Sequence, residues 1–134
     1  MGQSAIFKKP PKPSSGALAF PHETPDPGGA LKLADGVIWV RLAQTAATDA
    51  VNIYLLQDDD GWTIVDTGVG DAAAEEQLAW VLERELDGAP ILRVICTHMH
   101  PDQIGQAGLL CRRYGAPLWM SRLEYLSARV MGAD

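Results

Sequence analysis

The 134-residue chain carries 17 acidic and 11 basic side chains, so its formal net charge at pH 7 is −6. A surface with this balance repels the phosphate backbone, and we therefore exclude nucleic acid as a partner. No apolar run approaches the roughly 18 residues that a membrane-spanning helix needs, and the length is that of one domain, so we expect a single soluble domain without a membrane partner.

The N-terminal segment, residues 1–30, is rich in proline and ends in Gly28-Gly29. Because proline removes backbone donors and breaks helices and central strands, we interpret this segment as a tail that precedes a folded domain over residues 31–134. Pro10-Pro11-Lys12-Pro13 also allows a polyproline ligand for another protein, although plain linkers share this composition. We expect His22 to be solvated.

Three strands are predicted in the next part of the chain. Apolar and β-branched residues bounded by turn residues favour strands at Val37–Leu42, Val51–Gln57 and Trp62–Val65. Asp58-Asp59-Asp60-Gly61 predicts a tight hairpin turn between the last two strands, because Asp-Gly tolerates the positive φ angles of such turns. We interpret Gln44–Asp49, between the first two strands, as a polar loop.

A helix and a parallel strand follow. Asp71 is placed to cap a helix that Gly88 ends, and the apolar stripe of this helix consists of Ala74, Leu78, Val81 and Leu82. The order strand, helix, strand predicts that Ile91–Ile95 is a parallel neighbour of the strand ending at Val65. The ends of both strands then meet at one edge of the sheet, which brings Asp66 close to Thr97-His98.

The last part of the chain predicts two helices and a short strand. Helical spacing of apolar residues runs from Ile104 to Tyr114, Pro117–Met120 reads as a strand, and the capping box Ser121-Arg122-Leu123-Glu124 opens a helix to about Met131. Cys111 falls on the apolar side of the first helix, so we assign it to the core. Without an export signal, Cys96 and Cys111 are expected to be free thiols in a cytoplasmic protein.

The most informative stretch is Cys96-Thr97-His98-Met99-His100-Pro101-Asp102-Gln103, which follows a buried strand and precedes a helix. Two imidazoles and a carboxylate at alternating positions of a tight loop can point to one centre, and borderline divalent metals favour these donors. We therefore predict that His98, His100 and Asp102 bind a metal ion. The alternative is a polar loop whose histidines cap the following helix.

These residues resemble the signature of the metallo-β-lactamase superfamily, H-x-H-x-D-H after a buried strand, with Gln103 at the position of the last His. Upstream, Ile64-Val65-Asp66-Thr67-Gly68 is similar to the strand-end Asp motif of that family, and Val51–Leu56 to the strand before it. The match runs from about residue 34 to the end. The resemblance implies an α/β fold, half of an αββα sandwich, with a mixed sheet and helices on one face.

For the site, the resemblance implies that His98, His100 and Asp102 hold the metal and that Asp102 also accepts a proton from the attacking water. It implies that Asp66 and Thr97 support the loop without touching the ion. Zinc is the expected cofactor, with one ion rather than two, and iron and manganese are alternatives. Zinc lowers the pKa of a bound water to about 7, and the resulting hydroxide attacks an ester, lactone, thioester or lactam in a small-molecule substrate.

Gln103 supports a second interpretation, because a neutral amide is a poor zinc ligand beside imidazole. We expect Gln103 to contact substrate or a weak second ion. The alternative function is a truncated or degenerate, inactive fragment or binding module that keeps the fold. Since the resemblance covers only the N-terminal half of the sandwich, we expect weak or no activity unless a second half completes the chain. Two copies are expected to pack their open sheet faces as a homo-oligomer.

Overall fold

The computed structural model describes residues 20–44 and 50–132. In chain order, its elements are β1 Gly29–Ala34, β2 Val37–Leu42, β3 Val51–Asp58, β4 Gly61–Val65, α1 Ala72–Leu86, β5 Ile91–Ile95, α2 Pro101–Ile104, α3 Ala107–Tyr114, β6 Leu118–Trp119 and α4 Arg122–Met131. The six strands form one sheet in sequence order. Strands β1 to β4 are antiparallel neighbours, whereas β5 is parallel to β4 and β6 is parallel to β5. This mixed sheet confirms the predicted α/β fold.

The hydrophobic core lies on the face of the sheet that α1 and α3 cover. Alternate strand residues point into it, and they pack with one stripe of each helix. The apolar stripe predicted for α1 is buried at all four positions, and the side chain of Asp71 accepts a hydrogen bond from Ala74 N at 2.8 Å, as expected for a cap. Each fully buried Leu or Val contributes about 1.5–3 kcal/mol, so this layer provides most of the stability.

The opposite face of the sheet carries a row of apolar side chains. Strand register aligns one residue from each strand in this row: Leu31, Trp39, Tyr54, Val65, Ile95 and Trp119. None of the six is buried, and the exposed fractions of Tyr54 and Trp119 are 36% and 55%. A contiguous apolar row that water reaches is typical of a surface that packs against another layer.

Strand β1 is not among the elements predicted from the sequence, and it begins at Gly29, inside the segment interpreted as a tail. Its side chains are exposed or only partly buried, so the apolar pattern is weak. The strand is held instead by main-chain pairing with β2 at the edge of the sheet. Such pairing leaves little trace in the sequence.

The helix predicted between Ile104 and Tyr114 is divided in two. Pro101 starts α2 earlier than the apolar spacing indicates, because its fixed φ suits the first helical position. The chain then turns at Gly105-Gln106, and α3 runs to Tyr114, with Gly115 as its left-handed C-cap.

Two sequence-based interpretations lie outside the described residues: the polyproline ligand at Pro10-Pro11-Lys12-Pro13, and nearly all of the polar loop, at residues 45–49. His22 is described and is exposed. In the described ranges, the helices are too short or too polar to span a lipid bilayer.

Two glycines, Gly70 and Gly105, allow the loop after β4 to touch the turn between α2 and α3. A Cβ added at Gly70 would lie 2.6 Å from Gly105 O, and one added at Gly105 would lie 2.7 Å from Gly68 O. Both positions are closer than real Cβ contacts, and the opposing atoms are main chain that cannot rotate away. The contact holds the two loops of the sheet edge together.

We expect Gly105→Ala to lower the free energy of unfolding by about 3 kcal/mol, because the added methyl group must displace backbone atoms. Gly108→Ala is the matched control. Its Cβ would approach only the flexible end of Arg112, at 3.3 Å, and alanine should stabilise helix α3 by about 0.5–1 kcal/mol. Urea unfolding followed by circular dichroism measures both changes. Equal stability of the two variants would contradict the tight contact between the loops.

Candidate metal centre

Asp66 joins the ends of the two parallel strands. Its main-chain N donates to Ile95 O at 2.8 Å, and its φ of 62° is a left-handed value that Asp tolerates better than most residues. The buried carboxylate accepts from Thr97 N at 2.8 Å and from Thr97 Oγ1 at 2.8 and 3.0 Å. Thr97 is the first residue of the loop that carries His98 and His100, residues 97–100, here called the metal loop. It is therefore fixed to the end of β4.

The Thr97 hydroxyl connects Asp66 to His98 through hydrogen bonds. The Thr97 hydroxyl has one hydrogen, and because an ionised carboxylate only accepts, that hydrogen points to Asp66. The hydroxyl oxygen, 2.9 Å from His98 Nδ1, is then an acceptor, so the hydrogen-bond network assigns the ring proton to Nδ1. His98 Nε2 then carries no proton and accepts a hydrogen bond from His100 Nδ1, and an unprotonated imidazole nitrogen is the form that binds a metal ion.

The lone pair of His98 faces the second imidazole. His98 Nε2 lies 3.1 Å from His100 Nδ1, with the ring planes inclined at 77°. Two nitrogens that bind one zinc ion tetrahedrally at 2.0–2.1 Å are about 3.3 Å apart. The 3.1 Å separation is that of a hydrogen bond between the two rings, and it is also close to the spacing of two ligands of one zinc ion, so the two histidines are candidates for a donor pair.

The other predicted ligand does not join this pair. Asp102 lies in the first turn of α2, and among the described residues no group of three or more His, Cys, Asp or Glu side chains is placed to hold a metal ion. Gln103 acts through its backbone: Gln103 O accepts from Thr67 N at 2.7 Å and from Thr67 Oγ1 at 2.8 Å. The ligand roles of Asp102 and the substrate or second-ion role of Gln103 remain predictions.

Cys96, next to the loop, faces the core. Its side chain belongs to the buried cluster, and burial, followed by the nearby charges of Asp66 and Cys111, raises the pKa of the thiol to about 12. Because a thiolate is the form that binds zinc, Cys96 is a core residue at neutral pH rather than a ligand.

Glu124 contacts the metal loop, although the sequence predicted it only as the last residue of a capping box. Ser121 Oγ accepts a hydrogen bond from Glu124 N at 3.2 Å, as expected for the cap. The Glu124 carboxylate points away from its own helix and accepts a hydrogen bond from Met99 N at 2.8 Å. Met99 stands between the two histidines. No local pattern signals a contact over this separation in sequence.

A cavity of about 770 Å³ opens beside the loop. It is lined by residues of α4 and of the segment from Met99 to Gly108, mainly by apolar groups, and His100 and Arg129 are among its lining residues. Its volume falls in the range of small-molecule pockets.

Comparison with known proteins identifies the family. Residues 46–129 match the model of the metallo-β-lactamase superfamily. The chain belongs to this superfamily. The matched range contains Asp66 and the complete loop with His98 and His100, so the resemblance seen in the sequence is confirmed.

Solved metallo-β-lactamase structures share the fold over most of this chain. A β-lactamase domain protein from Burkholderia ambifaria is 36% identical with a TM-score of 0.75, over 84% of this chain and 35% of that chain. A metallo-β-lactamase from Hirschia baltica is 24% identical with a TM-score of 0.64, over 80% of this chain and 49% of that chain. A metallo-β-lactamase family protein from Thermus thermophilus is 28% identical with a TM-score of 0.61, over 70% of this chain and 31% of that chain.

The chain thus spans between 31% and 49% of the length of these solved relatives. A comparison with curated proteins finds no match.

Proposed function

We propose that this chain is the metal-binding half of a metal-dependent hydrolase. The observation that carries the proposal is the pairing of His98 Nε2 with His100 Nδ1 at 3.1 Å, in a loop whose first residue is bonded to Asp66. Membership of the metallo-β-lactamase superfamily supports hydrolysis as the reaction class. The substrate class is a small molecule with an ester, lactone, thioester or lactam bond.

In this proposal each group of the loop has one task. His98 and His100 would hold one zinc ion, and such an ion would supply a water activated for attack on a carbonyl carbon. Asp102 would be the proton acceptor, a role that requires its carboxylate to come nearer to the two histidines than in this structure. Asp66 and Thr97 keep the proton of His98 on Nδ1, so that Nε2 stays available to the ion. Iron or manganese would suit the same nitrogen pair.

A second candidate function is a binding module without catalysis. Gln103 replaces the last His of the family signature, and its carbonyl is used in the contact with Thr67. Two imidazoles alone hold zinc loosely, because catalytic sites have three protein ligands. In this alternative the chain keeps the fold and one weakly bound ion.

We propose that the open face of the sheet is covered by a second copy of the chain. The row from Leu31 to Trp119 crosses all six strands, and complete members of the family pack two similar halves face to face. The chain spans 35% of the Burkholderia ambifaria protein, so a complementary half of the fold is the alternative occupant of this sheet face.

Free Cys96 and Cys111 support the cytoplasmic location proposed from the sequence.

Zinc titration tests the metal site. We expect one zinc ion per chain, and His98→Ala and His100→Ala should each weaken binding by more than about tenfold, since each removes a ligand and not merely a residue that supports one. His22→Ala is the matched control, because His22 is exposed and lies outside the loop. Isothermal titration calorimetry gives the affinity and the stoichiometry. Unchanged binding in the loop variants would exclude this site.

Hydrolysis assays separate the two candidate functions. We expect the unmodified chain to hydrolyse at least one of a generic ester, a thioester and a lactam weakly, and Gln103→His to raise the rate, because an imidazole restores the donor set of the family signature. His98→Ala should abolish the activity of both. Activity in the Gln103→His variant alone would instead identify the natural chain as a silent binding module.

Molar mass in solution tests the covered face. Light scattering at micromolar concentration should give twice the chain mass of 14.4 kDa. Tyr54→Glu, which places a charge in the apolar row, should give a monomer. Trp80→Glu, at an exposed position on helix α1, should leave the dimer intact. A monomeric natural chain that binds no hydrophobic dye would refute the proposal.

A further inference from the structure

We infer that Glu124 is a positioning residue for the metal loop. By accepting from Met99 N at 2.8 Å, it keeps the backbone between His98 and His100 in the conformation that lets both rings face one ion. The inference rests on the proposed metal binding, and its target is the geometry of the apo loop rather than the reacting atoms.

The position of the bond explains its effect. The peptide that joins His98 to Met99 is planar, so fixing its N–H direction restricts the rotations on either side of it. His98 is already tied to Thr97 Oγ1 through Nδ1, whereas His100 is exposed and lies one residue past Met99. An ionised acceptor makes a shorter and stronger bond to a backbone N–H than a neutral one. Glu124 therefore fixes the half of the loop that Asp66 does not reach.

Helix α4 depends on polar contacts for its attachment. None of its ten residues is buried, and the exposed fractions of Leu123 and Val130 are 73% and 75%. Apolar packing therefore provides little of the energy that holds the helix against the body. The contact from Glu124 to Met99 is placed at its first turn, next to the cavity beside the loop, so the position of α4 and the shape of the metal loop are coupled.

Three variants separate this role from simple stabilisation of the helix. Glu124→Ala removes the acceptor. Glu124→Gln keeps an amide oxygen that can accept from Met99 N. Ser121→Ala weakens the start of α4 by removing its cap, but it leaves the carboxylate of Glu124 in place. Circular dichroism checks that all three variants remain folded.

Two measurements are made on each variant. In the metal-free chain, hydrogen exchange of the Met99 amide, followed by NMR, should be about tenfold faster in Glu124→Ala than in the natural chain and in Ser121→Ala. Zinc affinity should fall about tenfold in Glu124→Ala, the loss typical for residues that support a ligand, and stay within about threefold in Glu124→Gln.

The zinc affinities of the three variants distinguish the inference from its alternatives. An equal loss of zinc affinity in Glu124→Gln and Glu124→Ala would overturn the inference, because charge or direct ligation would then be the cause. An equal loss in Ser121→Ala would also overturn it, because helix stability would be the cause. If Glu124→Ala binds zinc as the natural chain does, the inference fails while the proposed function stands. If the natural chain binds no zinc, both fail.

Discussion

The site depends on the parallel pairing of β4 with β5, closed at its end by the carboxylate of Asp66. Parallel neighbours end at the same edge, so Asp66, the residue after β4, meets Thr97, the second residue after β5, although the two are 31 positions apart in sequence. The Asp66 carboxylate accepts hydrogen bonds from both the N–H and the hydroxyl of Thr97. The direction of the Thr97 hydroxyl hydrogen then determines which ring nitrogen of His98 carries the proton, and therefore which nitrogen is available to a metal ion.

Around this contact, the loops are held from two more directions. On one side, Gly70 and Gly105 allow backbone to touch backbone, which fixes the loop after β4 against the turn that follows α2. On the other side, the Glu124 carboxylate reaches the amide of Met99. The two histidines therefore lie on a loop supported at both ends. This arrangement suits a ligand pair, whose atoms must converge within a few tenths of an ångström.

Much of the fold could be predicted from the sequence, because the signals are local and periodic. Apolar and β-branched residues between turn residues identified β2 and β3, Asp71 and the stripe from Ala74 to Leu82 identified α1, and the strand–helix–strand order predicted the parallel pair that positions Asp66. The remainder has no local signal. Strand β1 is held by main-chain pairing, the division of α2 from α3 lies at Gly105, where the backbone is in close contact with Gly70, and the bond from Glu124 to Met99 joins residues 25 positions apart.

Less of the site follows from the sequence. The spacing of His98 and His100 on a strand-end loop indicated a donor pair; the two rings lie close together, with 3.1 Å between His98 Nε2 and His100 Nδ1, and metal binding by them stays a prediction. The sequence could not show whether Asp102 would reach the same point, because it stands within the first turn of α2, where helix geometry and not loop spacing sets the direction of its side chain. The apolar row from Leu31 to Trp119 is similar: each residue is an ordinary strand residue, and only the register aligns them into one surface.

The most direct test is a crystal structure of the chain grown with zinc, with anomalous diffraction recorded at the zinc edge. The account predicts one peak between the two rings, within about 2.0–2.1 Å of both His98 Nε2 and His100 Nδ1. A zinc ion bound elsewhere on the chain, or rings turned away from each other with Asp66 no longer bonded to Thr97, would contradict it.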